Sequence, residues 1–125
     1  MGRAKRILIV EDLDETRTLY ARSFEAAGLE VLQARDGMEA LERVKQTLPD
    51  VVLLDIGLPR LDGFYVAEVW KRDPAMSQVP VVAISAWSGP DYEKRALEAG
   101  CRRALVKPCE PKVVLAEIRK VLATA

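Results

Sequence analysis

The sequence contains no histidine, and only two of its 125 residues are cysteine, Cys101 and Cys109. Without imidazole, Ser-His-Asp triads, Cys-His pairs and zinc sites of mixed Cys and His ligands are excluded. Two thiols do not make a disulfide framework, and both read as small apolar fillers. Any chemistry must therefore run on carboxylates, hydroxyls and lysine. An excess of one charge is also lacking: Lys plus Arg and Asp plus Glu number 19 each. A protein that tracks nucleic-acid phosphates carries a basic surplus, so no direct nucleic-acid partner is expected. No apolar run approaches the length of a membrane span, so no membrane partner is expected and the cytoplasm is the expected location. The basic start, Met1-Gly2-Arg3-Ala4-Lys5-Arg6, is followed by an apolar stretch of only Ile7 to Val10, too short for a signal-peptide core. Gly2 does not make a myristoylation motif, because Arg6 stands where that motif wants Ser or Thr. Linkers, repeats and low-complexity tracts are missing too, so residues 1–125 read as one domain.

What is present is an alternation. Half of the residues are hydrophobic, which suits a globular chain. Ile7-Leu8-Ile9-Val10 and Val51-Val52-Leu53-Leu54 are unbroken apolar runs, the pattern of strands buried on both faces of a parallel sheet. Val79 to Ile84, with Pro80 near its start, and the shorter Ala104-Leu105-Val106 read likewise. Glu30 to Ala34 is more polar and suits an edge strand. Helical patterns lie between. Tyr20, Phe24 and Ala27 mark one face before Gly28. Asp36 with Glu39 forms a capping box, followed by Met38, Leu41, Val44 and Leu48 up to Pro49. Val66, Val69 and Trp70 follow Asp62-Gly63, and Asp73-Pro74 closes that helix. Pro90 opens a helix with Tyr92, Ala96 and Leu97 that ends at Gly100. Pro111 precedes a last stripe of Val114, Ile118, Val121 and Leu122. Strand then helix, five times over, predicts an α/β fold: a flavodoxin-like doubly wound parallel sheet of order 2-1-3-4-5 with helices on both faces.

In such sheets ligands bind beyond the carboxyl ends of the strands. Four of the five predicted strands end there in polar residues: Glu11-Asp12, Asp55, Ser85 and Lys107. Taken singly, each has a plainer reading: acids capping a helix, a hydroxyl serving a local backbone group, a solvated surface lysine. Asp55 is harder to read so, because a carboxylate at a buried strand end needs a partner. Together they predict three carboxylates, a hydroxyl and an ammonium at one end of the sheet. Clustered carboxylates must protonate or bind a cation, and a hard divalent ion such as Mg2+, which keeps waters for a phosphate to displace, suits oxygen ligands. Lysine and a hydroxyl suit phosphate oxygens, and a carboxylate can be the nucleophile that forms an acyl phosphate.

These residues carry a resemblance. Ile7-Leu8-Ile9-Val10-Glu11-Asp12, Val51-Val52-Leu53-Leu54-Asp55 with Leu58-Pro59 and Asp62-Gly63, Ile84-Ser85-Ala86, and Lys107-Pro108 stand in the order and spacing of the response-regulator receiver domain. The sequence resembles that family of two-component signalling over essentially its whole length. The resemblance implies a switch, not an enzyme beyond its own phosphoryl transfer and dephosphorylation. Asp55 would take a phosphoryl group from a histidine kinase or a histidine phosphotransfer protein, and a downstream protein target would read the result. It further implies that Asp12, Asp55 and the backbone carbonyl of Gly57 ligate Mg2+, with Glu11 acting through water. Ser85 and Lys107 would bind phosphate oxygens, and the Lys107–Pro108 bond would be cis.

The chain also departs from the family pattern. Ala104 stands where receivers carry the aromatic ring that moves with the hydroxyl residue, so the signal is expected to leave by the fourth helix or the loop Trp87-Ser88-Gly89. Gly57 has no side chain to orient a water, and Trp87, expected at the rim, is bulky enough to shield the site, which together imply a long-lived acyl phosphate. Cys109 replaces a frequent Phe after Lys-Pro, a packing change. The alternative function is an interaction-only pseudo-receiver, which Ala104 favours and the complete polar set disfavours. A phosphatase with an aspartyl nucleophile would want a second Asp where Gly57 stands. A flavin carrier would want a hydroxyl- and glycine-rich loop after the first strand.

Overall fold

A computed structural model describes residues 2–124; Met1, part of the basic start, and Ala125, the end of the expected domain, lie outside them. Five strands alternate with five helices: β1 (Arg6–Val10), α1 (Asp14–Ala26), β2 (Glu30–Ala34), α2 (Gly37–Gln46), β3 (Val51–Asp55), α3 (Gly63–Arg72), β4 (Val81–Ser85), α4 (Pro90–Glu98), β5 (Arg103–Val106) and α5 (Pro111–Thr124). All strand pairs are parallel and the order is β2-β1-β3-β4-β5. The expected doubly wound architecture is the observed one.

Side chains alternate between the two faces of each strand, and both faces are covered. Leu8, Val10, Val52, Leu54 and Ala83 point to one layer, where they meet Val44 of α2, Phe64 and Trp70 of α3, and Tyr92 of α4. Ile7, Ile9, Leu53, Val82 and Ile84 point to the other, against Tyr20 and Phe24 of α1 and Val114, Ile118 and Val121 of α5. Burial on both sides is why β1, β3 and β4 read as unbroken apolar runs. Polar, mixed β2 lies at one sheet edge as expected, whereas β5, which read as a strand buried on both faces, forms the other edge and leaves Val106 exposed. β4 starts one residue after Pro80, which has no N–H to give and contributes its carbonyl to Val52 instead.

The helices match the expected stripes with particular exceptions. Asp36 caps α2 by accepting the Glu39 N–H at 2.8 Å, and Glu39 reaches back to the Arg35 N–H at 3.0 Å. Met38 is exposed, however, while Ala40 and Val44 of α2 are buried in the core and Leu41 packs half-buried against it. Leu48 lies beyond the end of α2 and is exposed, and Leu97 of α4 points away from the core formed by Tyr92 and Ala96. Hydrophobic spacing finds a helix, but it does not rank neighbouring apolar residues on a short one. One glycine is fixed by contact: a Cβ on Gly63 would lie 2.6 Å from the Ile56 Cα and 2.8 Å from the Asp55 carbonyl oxygen. The start of α3 therefore rests directly on the end of β3, where Asp55 stands.

Candidate functional site

The chain runs from β1 out to β2 on one side and returns to β3 on the other, so the carboxyl ends of β1 and β3 flank the switch point of the sheet. Glu11 and Asp12 follow β1, and Asp55 ends β3. Oxygen atoms of all three carboxylates lie within 4.8 Å of one another. Glu11 is 2% exposed and Asp55 is 5% exposed, whereas Asp12 faces solvent. Lys107, one residue past β5, reaches across the sheet end and donates to Glu11 Oε1 at 2.7 Å and to Asp55 Oδ2 at 3.0 Å.

The remaining bonds show how tightly the buried acids are held. Glu11 Oε2 accepts the Leu13 N–H at 3.1 Å, and Asp55 Oδ1 accepts the Gly57 N–H at 2.9 Å. Burial pushes the Glu11 carboxyl above its ordinary pKa, and this outweighs the lowering by Lys107 and the Leu13 N–H. The nearby Asp55 charge adds to the rise. Burial alone would lower Lys107, but its bonds to Glu11 and Asp55 prevail and its pKa moves up. The site thus keeps its ammonium charged and gathers three carboxylates around one cationic side chain. Such a cluster is primed for a divalent cation with oxygen ligands.

These groups open on a concavity of about 410 Å3 lined by Asp12, Asp55, Gly57, Ser85, Trp87 and Lys107. All six residues expected at the site are brought together at this end of the sheet: Glu11, Asp12, Asp55, Gly57, Ser85 and Lys107. Ser85 is buried and its Oγ accepts the Trp87 N–H at 3.0 Å, so the plainer reading of a hydroxyl serving a local backbone group holds as well. Trp87 is 57% exposed and lies at the rim. The Lys107–Pro108 peptide is cis, as expected.

Three features were not legible in the sequence. Arg17 is a nearly buried guanidinium tied to the Glu11 carbonyl. Tyr92 of α4 is buried and its hydroxyl donates to the Leu105 carbonyl of β5 at 2.7 Å, beside the small Ala104. Phe64 sits between Trp87, with ring centroids 6.3 Å apart, and the Arg95 guanidinium, 4.4 Å over its ring. Each depends on how separate elements settle against one another, and only periodicity at Tyr92 hinted at any of them.

Known proteins agree with this geometry. Residues 7–119 match the response regulator receiver domain. The polar-differentiation response regulator DivK of Brucella anthropi is 32% identical over 121 residues, covering 97% of this chain and 98% of DivK. A putative response regulator from Chloroflexus aurantiacus superposes with a TM-score of 0.91 at 29% identity, over 97% of this chain and 99% of that one. The chemotaxis response regulator CheY4 of Vibrio cholerae gives 0.90 at 25% identity, over 94% of this chain and 98% of that one. The chain belongs to the response regulator receiver family and is a phosphorylation-dependent switch of two-component signalling.

Proposed function

We propose that residues 1–125 form one receiver domain that takes a phosphoryl group on Asp55 from a histidine kinase or a histidine phosphotransfer protein. The observation that carries this reading is the Lys107 ammonium, held between buried Glu11 and Asp55 with Asp12 beside them. A carboxylate oxygen of Asp55 bonds to phosphorus as the bond from phosphorus to the donor imidazole nitrogen breaks, and the imidazole leaves with the electron pair. The three-carboxylate set fits Mg2+, a hard cation that takes carboxylate oxygens and waters. Asp12, Asp55 and the Gly57 carbonyl would hold the ion, with Glu11 acting through water. When bound, it neutralises charge that develops on the phosphoryl oxygens. Lys107 would move from Asp55 to one phosphate oxygen, and Ser85 would release the Trp87 N–H to turn toward another.

That last movement supplies a route for the signal. Ser85 is bonded to Trp87, Trp87 lies beside Phe64, Phe64 carries Arg95 of α4, and Tyr92 ties α4 to β5. With Ala104 in the usual aromatic position, the change would leave through the β4–α4 loop and α4. Larger amide shifts in residues 88–100 than at Ala104 on phosphorylation support this route, and comparable shifts contradict it. The intact acidic, hydroxyl and lysine set supports a phosphorylated switch over an interaction-only one. Among the described residues no helix is long and apolar enough to cross a membrane, and we place the domain in the cytoplasm, acting on a downstream protein target.

The test is intact-mass measurement after incubation with Mg2+ and a small-molecule phosphodonor. One phosphoryl group is expected on the parent and none on Asp55→Asn or after chelation of the metal. No gain, where another receiver is labelled in parallel, favours the interaction-only reading.

A further inference from the structure

We infer that Arg17 is a positioning residue for the cation site, although it touches neither Asp55 nor the space a phosphate would fill. The inference rests on the magnesium reading above. Asp12 is the exposed member of the carboxylate set, so the place of its oxygens depends on the backbone from Glu11 to Leu13. That backbone is clamped on both sides. The Glu11 N–H donates to the Ala34 carbonyl of β2 at 3.1 Å, and the Glu11 carbonyl accepts from Arg17 Nη1 at 2.9 Å.

Arg17 is 9% exposed, an unusual place for a guanidinium, and its burial is made tolerable by partners from three elements. Besides the Glu11 carbonyl, Nε donates to Gln33 Oε1 of β2 at 3.0 Å and Nη2 to Asp14 Oδ1 of α1 at 2.5 Å. Asp14 is largely exposed, so that ion pair adds little by itself. The fork geometry is what matters: one planar group fixes the end of β1, the first turn of α1 and β2 relative to one another. The free carbonyl of a loop that must present two carboxylates is thereby given a single orientation. Residues that orient metal ligands from behind typically change metal affinity by about 10- to 100-fold when removed.

The test compares the full chain with Arg17→Met, Arg17→Lys and a core control, Val44→Ala, which lies on α2 away from the loop. Mg2+ affinity is measured by calorimetric titration and stability by thermal melting. The expected result is about tenfold weaker Mg2+ binding in Arg17→Met. Arg17→Lys should be intermediate, because an ammonium can serve one of the three acceptors. Val44→Ala should lose stability with no change in Mg2+ affinity. Phosphorylation of Arg17→Met should need more Mg2+ for half-maximal rate, yet approach the parent rate at saturation. Mg2+ affinity within twofold of the parent in Arg17→Met, with a fall in melting temperature like that of Val44→Ala, would overturn the inference and leave a structural role. If Arg17→Met does not fold, parent-like affinity in Arg17→Lys overturns it in the same way. A parent that takes up no Mg2+ would sink the magnesium reading itself, and this inference with it.

Discussion

Replacing Lys107 by Met separates two effects that most explanations of this site would merge. In the unphosphorylated protein the ammonium lies 2.7 Å from Glu11 and 3.0 Å from Asp55. At an effective dielectric constant of about 20, each contact is worth roughly 5–6 kcal/mol before desolvation is subtracted. Most of that is offset by the burial of the charges, but removing one partner leaves the other charges uncompensated, which costs about 3–5 kcal/mol in buried pairs. Lys107 is 22% exposed and the site opens on solvent, so the lower end, about 3 kcal/mol, applies. For a domain of 125 residues this corresponds to a fall in melting temperature of about 11 °C in chelator. The same substitution removes the cation that competes with Mg2+ for the carboxylates. Mg2+ should therefore bind about tenfold more tightly, and at about 100 times its dissociation constant it should return roughly 2.7 kcal/mol of stability. Phosphoryl acceptance should nevertheless fall, since no ammonium remains for the phosphate oxygen. Thermal melting with and without Mg2+, calorimetric titration and intact mass read the three quantities. Weaker Mg2+ binding in Lys107→Met would refute the reasoning, because it would mean that Lys107 builds the cation site instead of opposing it.

Other substitutions test separate links. Gly63→Ala puts a Cβ against backbone atoms of Ile56 and Asp55 that cannot give way, so it should cost about 1–3 kcal/mol or more in denaturant unfolding and slow phosphorylation by shifting Asp55. Trp87→Ala should shed the acyl phosphate several-fold faster as the rim opens, measured by loss of the phosphorylated mass with time; an unchanged lifetime counts against shielding. Asp50 should show a pH effect of defined sign. Its partial burial would raise the carboxyl pKa, but the Arg6 N–H at 2.7 Å and the Arg3 guanidinium at 3.0 Å outweigh this and hold it below the ordinary value. Its contribution is then present above the ordinary carboxylate range and lost as pH falls through the lowered value. Asp50→Asn should cost about 1 kcal/mol at neutral pH and progressively less in acid, and a cost that grows on acidification would contradict this.

How much of this was legible in the sequence depends on the range of the signal. β1, β3 and β4 were readable because burial on two faces leaves an unbroken apolar run, and β2 because an edge strand is mixed. The site was readable because each polar residue interrupts or follows such a run, and parallel strands bring their carboxyl ends to one side. Met38, Leu48 and Leu97 were misplaced because spacing marks a periodic stripe and not which apolar residue in it meets the core. Arg17 gave no signal, since its partners Glu11 and Gln33 come together only once β1 and β2 are paired. Tyr92 was read in the apolar pattern of α4 with Ala96 and Leu97, but its bond to Leu105 follows from how α4 settles on β5, which no local pattern specifies. Lys107 was expected to meet phosphate; its present bonds to Glu11 and Asp55 show what it does before phosphate arrives.

The central claim is that Asp55 itself carries the phosphoryl group, and reductive trapping tests it most directly. The protein is phosphorylated in Mg2+, treated with borohydride and digested, and the peptide that spans β3 is sequenced by mass spectrometry. An acyl phosphate on Asp55 is predicted to yield homoserine at that position, with Asp12 and Glu11 unchanged. Homoserine at Asp12, the five-carbon amino alcohol acid at Glu11, or phosphate retained on a hydroxyl such as Ser85, would contradict the account.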